Sequence, residues 1–212
     1  MNFDKRKNYN LSFGIIIITS LIYLLKYILY SNQILRLNLY LGLNPTLFID
    51  YKHYWTPITY IFAHGDFNHL FFNMFAIFMF GHAIEEKMGS LGFISYYLIT
   101  GALAGIFSLL IYMVFKINVI LIGASGAIYA ILFAYAVFFP NRKLYIFGII
   151  PMSPPMLILI YTVFNLYSQF FGSTNVAHIT HLSGFLFAFL YFKVVYKINP
   201  IFIFRNYKRY MS

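Results

Sequence analysis

The chain has 212 residues, 61% of them hydrophobic and 9% charged, with a mean hydropathy of +0.76. An average soluble domain carries roughly 45–50% apolar and about 25% charged residues, so this composition excludes a soluble globule, a disordered chain, collagen, a disulfide scaffold and a coiled coil. What remains is an integral membrane protein. The net charge of +10 does not imply a nucleic-acid partner: the basic residues lie between long apolar runs, where membrane topology and anionic lipid account for them.

In chain order, residues 1–10 form a basic tail with Lys5-Arg6-Lys7. The apolar run that follows, about 11–30, is too long for a signal-peptide core and lacks a small-residue cleavage site, so it reads as a retained first span. The stretch 31–66, with Asp50, Lys52, His53 and Trp55-Thr56-Pro57, is too polar to cross and aromatic enough to lie in the interface. Charged residues then bound span two (67–84), span three (91–115) and span four (118–139). From Tyr145 to Phe192 there is no charge, and this stretch holds span five (145–171) and span six (176–193), broken at Gly172-Ser173-Thr174-Asn175. Pro151, Pro154 and Pro155 imply an irregular start or a kink in span five. Residues 198–212 form a second basic tail. With six spans and both termini cytoplasmic, eleven Lys and Arg fall inside and four outside (Lys26, Arg36, Lys52 and Lys116), a clear positive-inside bias. The expected fold is an all-α membrane domain over residues 11–197.

Polar side chains at membrane depth are costly and therefore candidates for function. Spans two, four and six all begin at the outer side. His69 and Asn73 lie in the first turns of span two, Ser125 about seven residues into span four, and His181 about five into span six. At 1.5 Å per residue, all four fall on the order of 5–12 Å below the outer boundary. Gly126, Ala130 and Ala134 form a small-residue stripe on span four, and Gly184 and Ala188 continue one below His181 on span six. Two such stripes packed together would bring Ser125 and His181 within hydrogen-bonding range, the arrangement of a nucleophile and its base. His178 is the competing histidine, but it lies nearer the interface and only His181 leads directly into the stripe. His69 and Asn73, at i and i+4, can aim two donors at a developing oxyanion. Tyr129, at i+4 from Ser125, is either ordinary core or a ring supporting the base. His64 reads as a loop-fixing residue, and Gly101-x-x-x-Gly105 as a helix-packing motif.

Taken together, His64-x-x-x-x-His69-x-x-x-Asn73, Gly123-Ala124-Ser125-Gly126 and His181-Leu-Ser-Gly184 resemble the motifs of the rhomboid family of intramembrane serine proteases, in its minimal six-span form. The resemblance implies Ser125 as nucleophile, His181 as general base, and an oxyanion hole made of His69, Asn73 and the Ser125 backbone N–H. It further implies that Tyr129 stacks on His181, that His64 braces the first loop, and that Glu85 takes the place of a structural acid. Gly123, Gly126 and Gly184 belong to the same motifs. The implied substrates are single-span membrane proteins with small residues near the cut, and no cofactor or metal is required. Thr56 departs from the pattern, standing where many members carry Arg, and His82 stands where Gly is common. A histidine-lined proton or metal transporter is the rival reading; it would lack the intramembrane carboxylates such relays usually contain. A non-catalytic family member is a second rival, and it would be expected to lack Ser125 or His181. The metalloprotease motif H-E-x-x-H is absent.

Overall fold

The first helix, α1 (Leu11–Ser31), buries only a narrow stripe. Ser12, Ile15 and Thr19 are buried, while Ile17, Ile18, Leu21, Leu24 and Leu25 face outwards. A contiguous apolar outer surface of this kind is what lipid contact requires. In the computed structural model, which describes residues 10–31, 36–146, 148–171 and 176–206, α1 packs against the long helix of the second span. That helix runs from Phe67 to Met88 as α5 (Phe67–Ala76), a π-helical segment (Ile77–Gly81) and α6 (His82–Met88), four residues past its expected end. The π turn ends at Gly81, where a β-carbon would lie 3.2 Å from the Ser12 side chain and 3.1 Å from that of Ile77. The missing side chain lets α1 approach.

Glu85 anchors this contact. It is fully buried, and its carboxylate accepts the backbone N–H groups of Leu11 and Ser12, both at 2.9 Å, and the Ser90 hydroxyl at 2.7 Å. The first N–H groups of a helix have no partner within it, and a carboxylate there also meets the positive end of the helix dipole. Glu85 thus joins the starts of α1 and α7 (Ser90–Val114).

Between α1 and α5 the chain forms three short helices, α2 (Leu37–Leu41), α3 (Pro45–Ile49) and α4 (Thr56–Thr59), followed by a 3-10 turn at Tyr60–Phe62. Trp55 Nε1 donates to the Tyr40 carbonyl at 2.9 Å and the Trp55 ring stacks on His53. Thr56 is fully buried and its hydroxyl donates to the His53 carbonyl at 2.6 Å, so the departure at this position closes a local turn.

At the centre of the bundle is α8 (Ser125–Phe138), buried on nearly every side and flanked by α7, by α9 (Pro154–Phe171) and by α10 (Val176–Val194). The expectation that helix would fill 118–139 is corrected here. Residues 117–124 are not helical, Leu121 and Leu43 exchange N–H···O bonds at 2.8 and 2.9 Å, and Asn44 Nδ2 donates to Asn118 Oδ1 and the Val119 carbonyl. The first loop supplies partners that a helix would otherwise have to provide internally. Span five begins late in the same way. Leu144–Ile146 (β1) and Ile150–Met152 (β2) form a small antiparallel hairpin, and the helix starts at Pro154, where proline suits the first turn. The break at 172–175 lies outside the described residues, as do 1–9 and 207–212. The tail expected from 198 onwards starts instead with a helix, α11 (Pro200–Asn206), whose Phe204 meets Phe133 of α8 at 5.5 Å.

Among the described residues, three helices are long and apolar enough to cross a membrane (Leu11–Tyr30, Phe67–Met88 and Ser90–Val114), and three shorter apolar helices accompany them (Ser125–Phe138, Pro154–Val163 and Ile179–Val194). Replacing Glu85 by Ala should lower stability by about 2 kcal/mol, the scale of losing charge-assisted hydrogen bonds. Thermal melts in detergent should show this drop, with any activity of the folded fraction preserved. An unchanged melting temperature would mean that the α1–α6–α7 junction does not depend on this carboxylate.

Candidate active site

Ser125 is the first residue of α8, not seven residues inside a helix. Its side chain therefore emerges where the backbone N–H groups have no intrahelical acceptor and where the helix dipole favours negative charge. Gly123 sets up this turn. Its N–H donates to the Tyr60 carbonyl at 2.9 Å and its φ is +120°, a conformation that side chains rarely adopt. A β-carbon there would lie 2.5 Å from Nε2 and 2.6 Å from Cε1 of His69. The imidazole thus occupies the space that glycine leaves, directly beside the strand that leads into Ser125.

The second contact is between α8 and α10. A β-carbon on Gly184 would collide with the Gly126 carbonyl oxygen and lie 3.2 Å from Tyr129 Cβ; one on Gly126 would lie 3.1 Å from Thr180 Cγ2. The two backbones touch one residue after Ser125 and one turn after His181. The His181 ring lies parallel to that of Tyr129, with centroids 4.3 Å apart and planes within 7°. Ala130, Ala134 and Ala188 are completely buried, and of the stripes expected from sequence Gly126 and Gly184 meet directly. Beside it the Thr180 and Ser108 hydroxyls are 2.7 Å apart, and Ser183 Oγ donates to the Thr180 carbonyl at 2.8 Å. The Ser108–Thr180 pair ties α10 to α7, and Ser183 Oγ also reaches the Ala104 carbonyl of α7 at 3.5 Å. Ser125, Tyr129, His69 and His181 are each partly exposed.

His69 and Asn73 start α5. Asp66 is its N-cap, with Oδ1 accepting the His69 N–H at 2.9 Å. One N–H of the Asn73 amide goes to the His69 carbonyl at 2.8 Å. His64 is buried and meets the His69 ring edge-on at 4.9 Å. Burial, followed by the neighbouring His69, pushes its pKa down to about 4, so His64 is neutral at pH 7. Lys26 of α1 holds this turn from behind, donating to the carbonyls of His64 and Gly65 at 2.9 and 2.7 Å.

A family model, the Rhomboid domain, matches residues 51–198, which include every residue of this cluster except Lys26. The chain belongs to the rhomboid family. It is 30% identical over 143 residues to YdcA of Bacillus subtilis, whose name assigns it provisionally to the rhomboid proteases; the match covers 65% of this chain and 67% of that protein. It is 35% identical over 91 residues to the chloroplastic rhomboid-like protein 11 of Arabidopsis thaliana, and 31% identical over 88 residues to the mitochondrial rhomboid protein 1 of Saccharomyces cerevisiae. Those matches cover 43% and 41% of this chain but only 31% and 25% of the two relatives. Rhomboid membership together with the apolar helices makes this a multi-pass integral membrane protein.

In this rhomboid chain the structure gathers Ser125, Tyr129 and His181, with Gly126 and Gly184, at the α8–α10 contact. His69, His64 and Gly123 gather beside it. Glu85 lies elsewhere, at the start of α1, and His82 pairs with Glu86 at 3.3 Å. The side chain of His178, the competing histidine, lies outside the described residues. Three contributors escaped sequence reasoning. Asp66 carried a legible signal, an Asp three residues before His69 at a helix start. Tyr60 and Lys26 carried none: Tyr60 bonds the Gly101 carbonyl at 2.7 Å and fills the space over Gly105, so the Gly101/Gly105 pair receives a loop residue as well as a helix.

Substituting Gly123 by Ala should displace His69 and strain the turn. Strain of this kind costs about 1–3 kcal/mol, and a 1 Å misplacement can cost about 10²-fold in rate. Gly89→Ala supplies the control, since that glycine also has positive φ (75°) but open space around it. Melting and cleavage assays should show both variants destabilised, with only Gly123→Ala losing far more activity than stability. Equal losses in the two would leave His69 positioning unsupported.

Proposed function

We propose that this chain is an intramembrane serine endopeptidase that cleaves transmembrane segments of membrane proteins near the outer face. The observation that carries this reading is a serine at the head of α8 whose helix meets, through Gly126 and Gly184, the helix bearing an imidazole stacked on Tyr129. Family membership and the name of the Bacillus subtilis relative support the same chemistry.

In this reading His181 accepts the Ser125 hydroxyl proton as the oxygen attacks the scissile carbonyl. The carbonyl oxygen becomes an oxyanion held by the Ser125 backbone N–H, His69 and the remaining Asn73 N–H. His181 returns the proton to the leaving amine, and water then releases the acyl-enzyme by the same steps. The flat Tyr129 ring stacked on His181 restricts the plane of the imidazole. Neither metal nor cofactor enters these steps. Peptide bonds in a membrane helix are internally bonded and dry, so the site must both unwind its substrate and admit water.

The short α8 supports that depth. Its 14 residues span about 21 Å at 1.5 Å per residue, against a hydrocarbon core of about 30 Å. If its inner end reaches the cytoplasmic boundary, Ser125 lies roughly 10 Å below the outer one, with the non-helical residues 117–124 completing the crossing. We place both termini in the cytoplasm and count six spans, from the distribution of basic residues.

Ser125→Ala and His181→Ala should each reduce cleavage of a single-span substrate by on the order of 10³-fold or more, while melting temperatures stay near that of the parent. Substantial activity in either variant would remove that residue from the dyad. Orientation has its own test. A cysteine tag after Lys116 should label from outside the cell and one beside Arg142 only from the cytoplasm; the reverse pattern would move the site to the inner face.

A further inference from the structure

Where α1 ends, a cavity of about 370 Å³ opens between that helix and α2, lined by Lys26, Tyr30, Arg36, Asn38 and Gly65 together with leucines. Among the described residues, two cations line it and no carboxylate does. Asp66, next to the lining residue Gly65, accepts the His69 N–H with Oδ1, and its charge also reaches Lys26. Its position is that of a membrane boundary. The 21 residues of α1 rise about 31 Å, close to the thickness of the hydrocarbon core, and Lys26 lies five residues before its end. Tyr27 and Tyr30 point outwards beside it, as aromatic residues do at headgroup level. The lining therefore combines two cations with apolar side chains.

We propose that this cavity binds a phosphate group, presented by the headgroup of a membrane phospholipid. An Arg guanidinium matches two phosphate oxygens at once. Lys26 gives two of its three N–H donors to the His64 and Gly65 carbonyls and lies 4.5 Å from the centre of the Tyr23 ring, so it acts here chiefly through its charge. Asn38, whose Nδ2 donates to the His64 carbonyl at 3.4 Å, has a second amide N–H on the same wall. Tyr30, Leu37 and Leu39 suit the glycerol and upper acyl carbons. Inorganic phosphate shares the polar half of this match but not the apolar half. Because Lys26 and Asn38 also hold the turn that leads to His69, an occupant would brace the first loop. The binding claim itself does not depend on the protease reading.

The test is native mass spectrometry of the delipidated full-length protein titrated with phosphatidylglycerol, with inorganic phosphate as competitor. The parent should retain one phosphatidylglycerol at low lipid ratios. Arg36→Gln should weaken that affinity about tenfold, the scale of one charge-assisted hydrogen bond. Arg36 is exposed, so this variant should fold normally. Lys26→Gln should weaken binding at least as much, whereas Lys116→Gln, which removes an equal charge beside a different cavity, should not. Displacement of the lipid by millimolar inorganic phosphate in the parent but not in Arg36→Gln would keep the site and assign it to free phosphate as well. Parent-like affinity in Arg36→Gln, or equal losses in all three variants, would overturn the proposal.

Discussion

The contact between Gly126 and Gly184 is the constraint on which the candidate site depends. A carbonyl oxygen of α8 lies against the α-carbon of α10, nearer than any β-carbon permits. Membrane helices gain no hydrophobic driving force from association, so close backbone approach and interhelical hydrogen bonds must hold them together. Both are found here. The approach at Gly184 sets the Tyr129–His181 stack, and the Ser108–Thr180 hydroxyl pair fixes α10 against α7 beside it. Were the two helices separated by one methyl group, ring stacking at 4.3 Å could not persist.

A second constraint concerns backbone rather than side chains. A helix that begins part-way along its span leaves the preceding residues without helical hydrogen bonds, a cost that a membrane interior does not forgive. The first loop meets it. Leu43 pairs with Leu121, Asn44 reaches Asn118 and Val119, and the Tyr60 carbonyl takes the Gly123 N–H. The loop is thereby part of the site's scaffold. The same logic places Lys26, which satisfies two loop carbonyls from α1, and links the outer boundary to the turn that carries His69.

Much of this was legible in the sequence because it depends on composition and short spacing. The spans of α1, α7 and α10 emerge within a residue or two of the positions that apolar runs and charges mark, and the Gly126/Ala130/Ala134 and Gly184/Ala188 stripes announce the helix contact directly. The start of α8 was not legible. Residues 119–124 are as apolar as a helix interior, and their non-helical form depends on partners more than sixty residues away in the first loop. The hairpin before Pro154 was hidden for a related reason, since two three-residue strands carry too little periodicity to distinguish from a helix end. Tyr60 was hidden by its own ordinariness among twenty tyrosines; only its position beneath Gly123 and over Gly105 gives it a role.

The proposed chemistry requires a serine whose nucleophilicity depends on an imidazole in another helix, and a fluorophosphonate probe reads that dependence without any substrate. Purified protein should be labelled at a single site, mapped by peptide mass spectrometry to Ser125, and the label should vanish in His181→Ala protein that melts at the parent's temperature. Absence of labelling in the folded parent, or labelling of Ser125 that survives removal of the His181 imidazole, would contradict the account.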